Sequence, residues 1–123
     1  MAKILIIDDD PFIRLILRRI LEKEGYEVVE TDDGGLAVDL QKEHGTDVLI
    51  VDMVMPKKNG MDVIADMKAA FPDIDIIAMS GDQQRGEENV FEKAIETGAA
   101  KTLLKPITAD TLLAAVEACL ARR

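Results

Sequence analysis

Short apolar runs alternate with helical patterns five times along the chain. Lys3–Ile7, Glu27–Thr31, Asp47–Val51, Ile74–Met79 and Lys101–Leu104 are short and centred on Ile, Leu and Val, which predicts strands. The first, third and fourth are almost continuously apolar, as strands covered on both faces are. Between them lie segments with helical spacing and helical ends. Asp10 is placed to cap a helix that opens on Pro11. Ile13, Ile16, Leu17, Ile20 and Leu21 then form one apolar stripe, and Gly25 supplies the stop. A second helix is expected from about Gly34 to His44, carrying Leu36 and Leu40 and ending at Gly45. The third starts near Gly60, buries Val63, Ile64, Met67 and Phe71, and is closed by Pro72. The fourth, roughly Glu87–Thr97, turns Val90, Phe91, Ala94 and Ile95 inward, and the fifth begins at Thr108 and packs Leu112, Leu113, Val116 and Leu120.

Five such βα units predict an α/β domain over residues 1–123, a single five-stranded parallel sheet with helices on both faces. The commonest strand order at this size is 2-1-3-4-5, which places a ligand crevice at the carboxyl ends of strands 1 and 3. Reactive side chains gather at those ends. Strand 1 runs into Asp8-Asp9-Asp10, strand 3 into Asp52, strand 4 into Ser80-Gly81 and strand 5 into Lys105-Pro106. In the predicted order strands 1, 3, 4 and 5 are neighbours, so carboxylates, a hydroxyl and an ammonium meet on one edge.

Carboxylates brought this close resist ionisation unless a cation joins them. Mg2+ suits an all-oxygen site, taking one or two carboxylates and leaving positions for water or phosphate oxygens. With Mg2+ bound, an anionic phosphoryl donor can approach Asp52, whose carboxylate is then the nucleophile. Lys105 would pair with one phosphoryl oxygen and Ser80 hydrogen-bond another. Asp10 falls outside this set, because its place before Pro11 marks it as a helix cap.

Composition narrows the setting. A chain of 123 residues that is 48% hydrophobic can bury a core as one domain. Its apolar runs are far short of a membrane span, and its N-terminus lacks the pattern of a secretory signal. The single cysteine, Cys119, cannot form an internal disulfide, which fits a cytoplasmic protein. A net charge of −9, with basic residues adjacent only in the isolated pairs Arg18-Arg19, Lys57-Lys58 and Arg122-Arg123, argues against nucleic acid as a partner and offers nothing to a membrane. His44 has no Cys or His partner and reads as a solvated or capping residue, whereas Met53, Met55, Met61 and Met67 read as loop and core packing. Cys119 lies beside the stripe of the last helix as a small buried or half-buried hydrophobe, and Gln83–Asn89 is a polar loop.

The whole chain resembles the receiver domains of two-component response regulators. The resemblance rests on Ile4-Leu5-Ile6-Ile7-Asp8-Asp9-Asp10-Pro11, on Asp52 followed by Pro56 and Gly60, on Ser80-Gly81, on Gly98-Ala99 and on Lys105-Pro106, in that order. It implies the flavodoxin-like receiver fold and a stand-alone signalling switch, not an enzyme, with no output domain in this chain. It also implies that Asp52 accepts a phosphoryl group from a histidine kinase or a histidine phosphotransfer protein. Asp9, Asp52 and the backbone carbonyl of Val54 would be direct Mg2+ ligands, with Asp8 acting through water. Ser80 and Lys105 match the switch hydroxyl and the lysine of the family. A downstream protein target would bind the face formed by helix 4, strand 5 and helix 5.

Two departures stand out. Three residues before the lysine, where the family carries tyrosine or phenylalanine, this chain has Thr102, so the aromatic half of the usual switch is absent. The long polar segment between Ser80 and Gly98, with Gly81 and Gly86, is expected to make the start of helix 4 mobile. Two rival readings compete. A haloacid dehalogenase-like phosphatase would use Asp8-Asp9-Asp10 as its Asp-x-Asp motif, but Phe12 and the lack of an acidic pair after Lys105 fit it poorly, and Asp52 through Pro56 would be unexplained. A phosphate-independent adaptor with a receiver-like fold would leave the intact acid cluster without a use.

Overall fold

The computed structural model describes residues 2–81 and 90–122. Its strands are β1 (Lys3–Ile7), β2 (Glu27–Thr31), β3 (Val48–Asp52), β4 (Asp75–Ser80) and β5 (Lys101–Leu104). Its helices are α1 (Pro11–Lys23), α2 (Ala37–His44), α3 (Gly60–Ala70), α4 (Val90–Thr97) and α5 (Ala109–Ala121), with a 3-10 turn at Gly34–Leu36 before α2. The strands pair in the order β2-β1-β3-β4-β5, every neighbouring pair being parallel. This is the predicted doubly wound sheet.

Alternation along the strands feeds two cores. Leu5, Ile7, Leu49, Val51, Ile76 and Ala78 lie in one cluster with Val63, Ile64 and Met67 of α3 and Ala94 of α4. Ile4, Ile6, Val48, Ile50, Ile77 and Met79 lie in the other with Leu17 and Leu21 of α1 and Leu112 and Val116 of α5. Cys119 is fully buried in that second cluster. Met53, Met55 and Met67 are core residues, as expected.

Helix ends follow local chemistry. Asp10 caps α1, its carboxylate accepting from the Phe12 amide at 2.8 Å. Thr108 caps α5 in a reciprocal box with Thr111. Gly45 ends α2 in the left-handed region, at φ 62°. Asn59, unremarked in the sequence, caps α3 through the Asp62 amide at 2.9 Å.

Several inward positions are corrected. Ile16, Leu36 and Ile95 are exposed. On α1 the core-facing line runs through Leu17 and Leu21, and Ile16 falls on the flank with Phe12 and Leu15. Leu36 belongs to the 3-10 turn, which shifts the phase of α2 so that Ala37 and Gln41 face inward. On α4 only Ala94 is fully covered, with Val90 packed partly against the core. Strands β3 and β4 also sit one residue further along than predicted, so that Asp52 and Ser80 are their last residues. The expected helix start near Glu87, the polar loop Gln83–Asn89 and the expected mobility around Gly86 fall on residues 82–89, outside the described residues.

Candidate functional site

Strand register brings the predicted side chains together. Ile7 at the end of β1 pairs with Val51, Asp52 pairs with Met79, and Ser80 pairs with Leu104, so each reactive residue leaves the sheet at one edge. The Met53 amide donates to the Met79 carbonyl at 2.9 Å, and the Lys105 amide to the Ser80 carbonyl at 2.9 Å. These bonds extend the ladder just past the strands and fix where Asp52 and Lys105 leave the sheet.

Asp8, Asp9 and Asp52 each offer a carboxylate oxygen, all within 4.8 Å of one another. Asp8 and Asp52 are buried, at 0% and 5% exposure, while Asp9 faces solvent. Ligands about 2.1 Å from a shared octahedral ion lie roughly 3–4 Å apart, so oxygens within 4.8 Å need only a small inward movement to share one. The all-oxygen donor set fits the same metal class. Carboxylates from Asp8, Asp9 and Asp52 converge, whereas Asp10 is committed to Phe12 and leaves the Asp-x-Asp pairing of the phosphatase reading unformed.

Lys105 closes the crevice from β5. Its Nζ lies 3.2 Å from Asp8 Oδ2 and 3.2 Å from Asp52 Oδ2. Burial alone would lower the lysine's pKa, but the two carboxylates outweigh it and hold it above its ordinary value. Asp52 also sits above the ordinary aspartate value. Burial is the largest cause and the nearby Asp8 charge adds to it, against the opposing pull of the Val54 amide and of Lys105. The Val54 N–H donates to Asp52 Oδ1 at 3.1 Å and fixes that carboxylate from the loop side.

Ser80 Oγ is fully buried and has no hydrogen-bond partner among the described residues. An orphaned hydroxyl at this depth costs free energy, and this one lies at the end of β4, between β3 and β5. Thr102 is half-buried on β5, paired with Ala78 and two positions before Leu104. A cleft of about 250 Å³ opens beside Asp9, between Gly34 on one side and Met55 to Lys58 on the other.

Two glycines shape this loop more than sequence reasoning indicated. A Cβ on Gly60 would meet the Asp52 carbonyl at 2.5 Å, and one on Gly34 would meet Val63 Cγ2 at 2.6 Å. The spacing from Asp52 to Gly60 was part of the resemblance; Gly34 carried no signal beyond its place before α2.

Comparison with known proteins bears on the family and the fold. A family-level profile described as the response regulator receiver domain matches residues 4–117. The chain is 36% identical over 115 residues to the chemotaxis protein CheY of Bacillus subtilis, covering 93% of each. It is 34% identical over 123 residues to the transcriptional regulatory protein PdtaR of Mycobacterium tuberculosis, covering 98% of this chain and 57% of that one. A response regulator receiver domain protein from Clostridium thermocellum superposes with a TM-score of 0.90 at 33% identity, covering 99% of this chain and 96% of the other.

Proposed function

Because the chain belongs to the response regulator receiver family of two-component signalling, we propose that it accepts a phosphoryl group on Asp52 from a phosphohistidine. The observation that carries this reading is the position of Asp52. It is the buried last residue of β3, within reach of two further carboxylates and 3.2 Å from Lys105 Nζ.

The step is a displacement at phosphorus. An Asp52 carboxylate oxygen forms the new O–P bond while the P–N bond to the donor imidazole breaks, its electron pair returning to the ring nitrogen. Val54 N–H and Lys105 hold the Asp52 carboxylate in place, and Lys105 can follow the charge onto a phosphoryl oxygen. Ser80 Oγ, which has no partner among the described residues, donates to a second oxygen of the group. Asp8, Asp9 and Asp52, with the Val54 carbonyl, are the residues that would hold Mg2+, which supplies charge neutralisation between donor and acceptor.

The donor would be a histidine kinase or a histidine phosphotransfer protein. The product would act by altering the surface of α4, β5 and α5, where Ile95 and Leu104 present exposed apolar side chains. With Thr102 in place of an aromatic residue, Ser80 would have to influence that surface without a ring rotamer. Among the described residues no helix is long and apolar enough to cross a membrane. Intact mass after incubation with Mg2+ and a small phosphodonor tests the chemistry. One added phosphoryl group on the wild type, absent in Asp52→Asn, supports it, and no gain with any donor sinks it.

A further inference from the structure

The acidic turn is held from behind by a charged network that the chemistry above does not use. Arg14, in the first turns of α1, donates from Nη1 to the backbone carbonyl of Asp8 at 2.6 Å. Its Nε pairs with Glu30 Oε1 of β2 at 3.0 Å, and the other oxygen of Glu30 receives Arg18 Nη1 at 2.7 Å. The Arg14 and Glu30 side chains are only 16% and 26% exposed, so this is no solvated surface pair.

The bonded atom matters. The carbonyl of Asp8 and the amide of Asp9 share one rigid peptide plane. Holding the Asp8 oxygen therefore restrains the tilt of that plane, and with it the direction in which Asp9 leaves the chain. The Asp8 carboxylate has its own restraints, accepting from the Asp10 amide at 2.9 Å and from Lys105 at 3.2 Å. The Asp9 carboxylate is exposed, and among the described residues no hydrogen bond or ion pair holds it. Its direction depends on its backbone, which Arg14 holds at the Asp8 carbonyl, beside the bonds from the Asp8 amide to Thr31 and from the Asp10 amide to the Asp8 carboxylate. Glu30 sits beside the end of β1, in register with Ile6, so the anchor is itself part of the rigid sheet.

We propose that Arg14, clamped by Glu30, is a positioning residue that sets the orientation of the Asp8–Asp9 peptide and so the affinity of the acidic cluster for Mg2+. This rests on reading Asp8, Asp9 and Asp52 as the cation site. Groups that orient metal ligands from behind are worth about 10- to 100-fold in affinity. Guanidinium geometry, rather than charge alone, is required, because one side chain must reach two acceptors in fixed directions.

The test is Mg2+ titration by calorimetry on the metal-stripped full chain, with thermal melts alongside. Arg14→Met should weaken Mg2+ binding roughly tenfold in folded protein, Arg14→Lys should fail to restore it, and Glu30→Gln should weaken it a few-fold. Wild-type affinity in folded Arg14→Met, or full rescue by Arg14→Lys, overturns the proposal. If Arg14→Met does not fold, unchanged affinity in Glu30→Gln overturns it instead. A second readout needs no metal: the Asp9 and Asp10 amide resonances of the metal-free chain should shift and broaden in Arg14→Met. Spectra identical to wild type would overturn the positioning role. Absence of Mg2+ binding by the wild type, with those resonances still perturbed, would instead fault the cation-site reading.

Discussion

Replacing Gly60 with alanine probes how tightly the acceptor is built into its surroundings. The added Cβ would lie 2.5 Å from the Asp52 carbonyl oxygen, 2.6 Å from Met53 Cα and 2.9 Å from Met53 Sδ. Reaching an ordinary contact of 3.4 Å from the Asp52 oxygen takes a displacement of about 0.9 Å. Two of the three obstructing atoms are backbone, so no flexible side chain can swing aside. Overpacking of this kind costs about 1–3 kcal/mol. Alanine returns at most about 1 kcal/mol of helix propensity at the start of α3. The net is a loss of roughly 1–2 kcal/mol, or a fall in Tm of roughly 3–10 °C for a chain of this size. The larger effect is chemical. A shift near 1 Å in a positioned reactant costs on the order of 100-fold in rate, so phosphorylation from a small donor should slow by about 10- to 100-fold. Thermal melts and time-resolved intact mass measure the two effects. Wild-type stability and rate in Gly60→Ala would refute the steric argument. Lost stability with an unchanged rate would refute the link to the acceptor.

Other outcomes follow from the same geometry. Ser80→Ala removes a buried hydroxyl without a partner among the described residues, so the unphosphorylated chain should gain up to about 1–2 kcal/mol in urea unfolding while its phosphorylation slows. Burial would raise the Glu30 pKa, but hydrogen bonds from Arg18 and Arg14 hold it below the ordinary 4.5. A carboxylate with a depressed folded pKa contributes stability above its unfolded value and loses it as pH falls through the folded one. The stability gap between wild type and Glu30→Gln should therefore be full at pH 7 and close progressively below about pH 4.5, as denaturant titrations at each pH would show. Mg2+ should raise the melting temperature of the wild type, by about 2.7 kcal/mol of stability at a hundredfold excess over Kd, with little effect on Asp9→Asn. Equal shifts in both proteins would remove Asp9 from the cation site.

Much of this site was legible because parallel βα units deliver side chains to one edge, and the residues that end each strand are adjacent to their strands in sequence. Asp8, Asp52, Ser80 and Lys105 are placed that way by their sequence positions alone. The helix phases were less legible. Ile16 and Leu17 are both apolar, and periodicity alone does not decide which of two such neighbours faces the sheet. Leu36 was misplaced because two glycines in succession, Gly34 and Gly35, admit a 3-10 turn that an apolar stripe does not reveal. Arg14 leaves no signal for a different reason: its partners are a backbone carbonyl and a carboxylate sixteen residues away on β2. Cross-element pairs of that kind leave no periodic trace.

The central claim is that Asp52 is the residue that carries the phosphoryl group. Borohydride converts an acyl phosphate on aspartate to homoserine, and peptide mass spectrometry locates the converted residue. After treatment with Mg2+ and a phosphodonor, homoserine is expected at position 52 alone. Homoserine at Asp8 or Asp9, or conversion that persists in Asp52→Asn, would contradict the assignment.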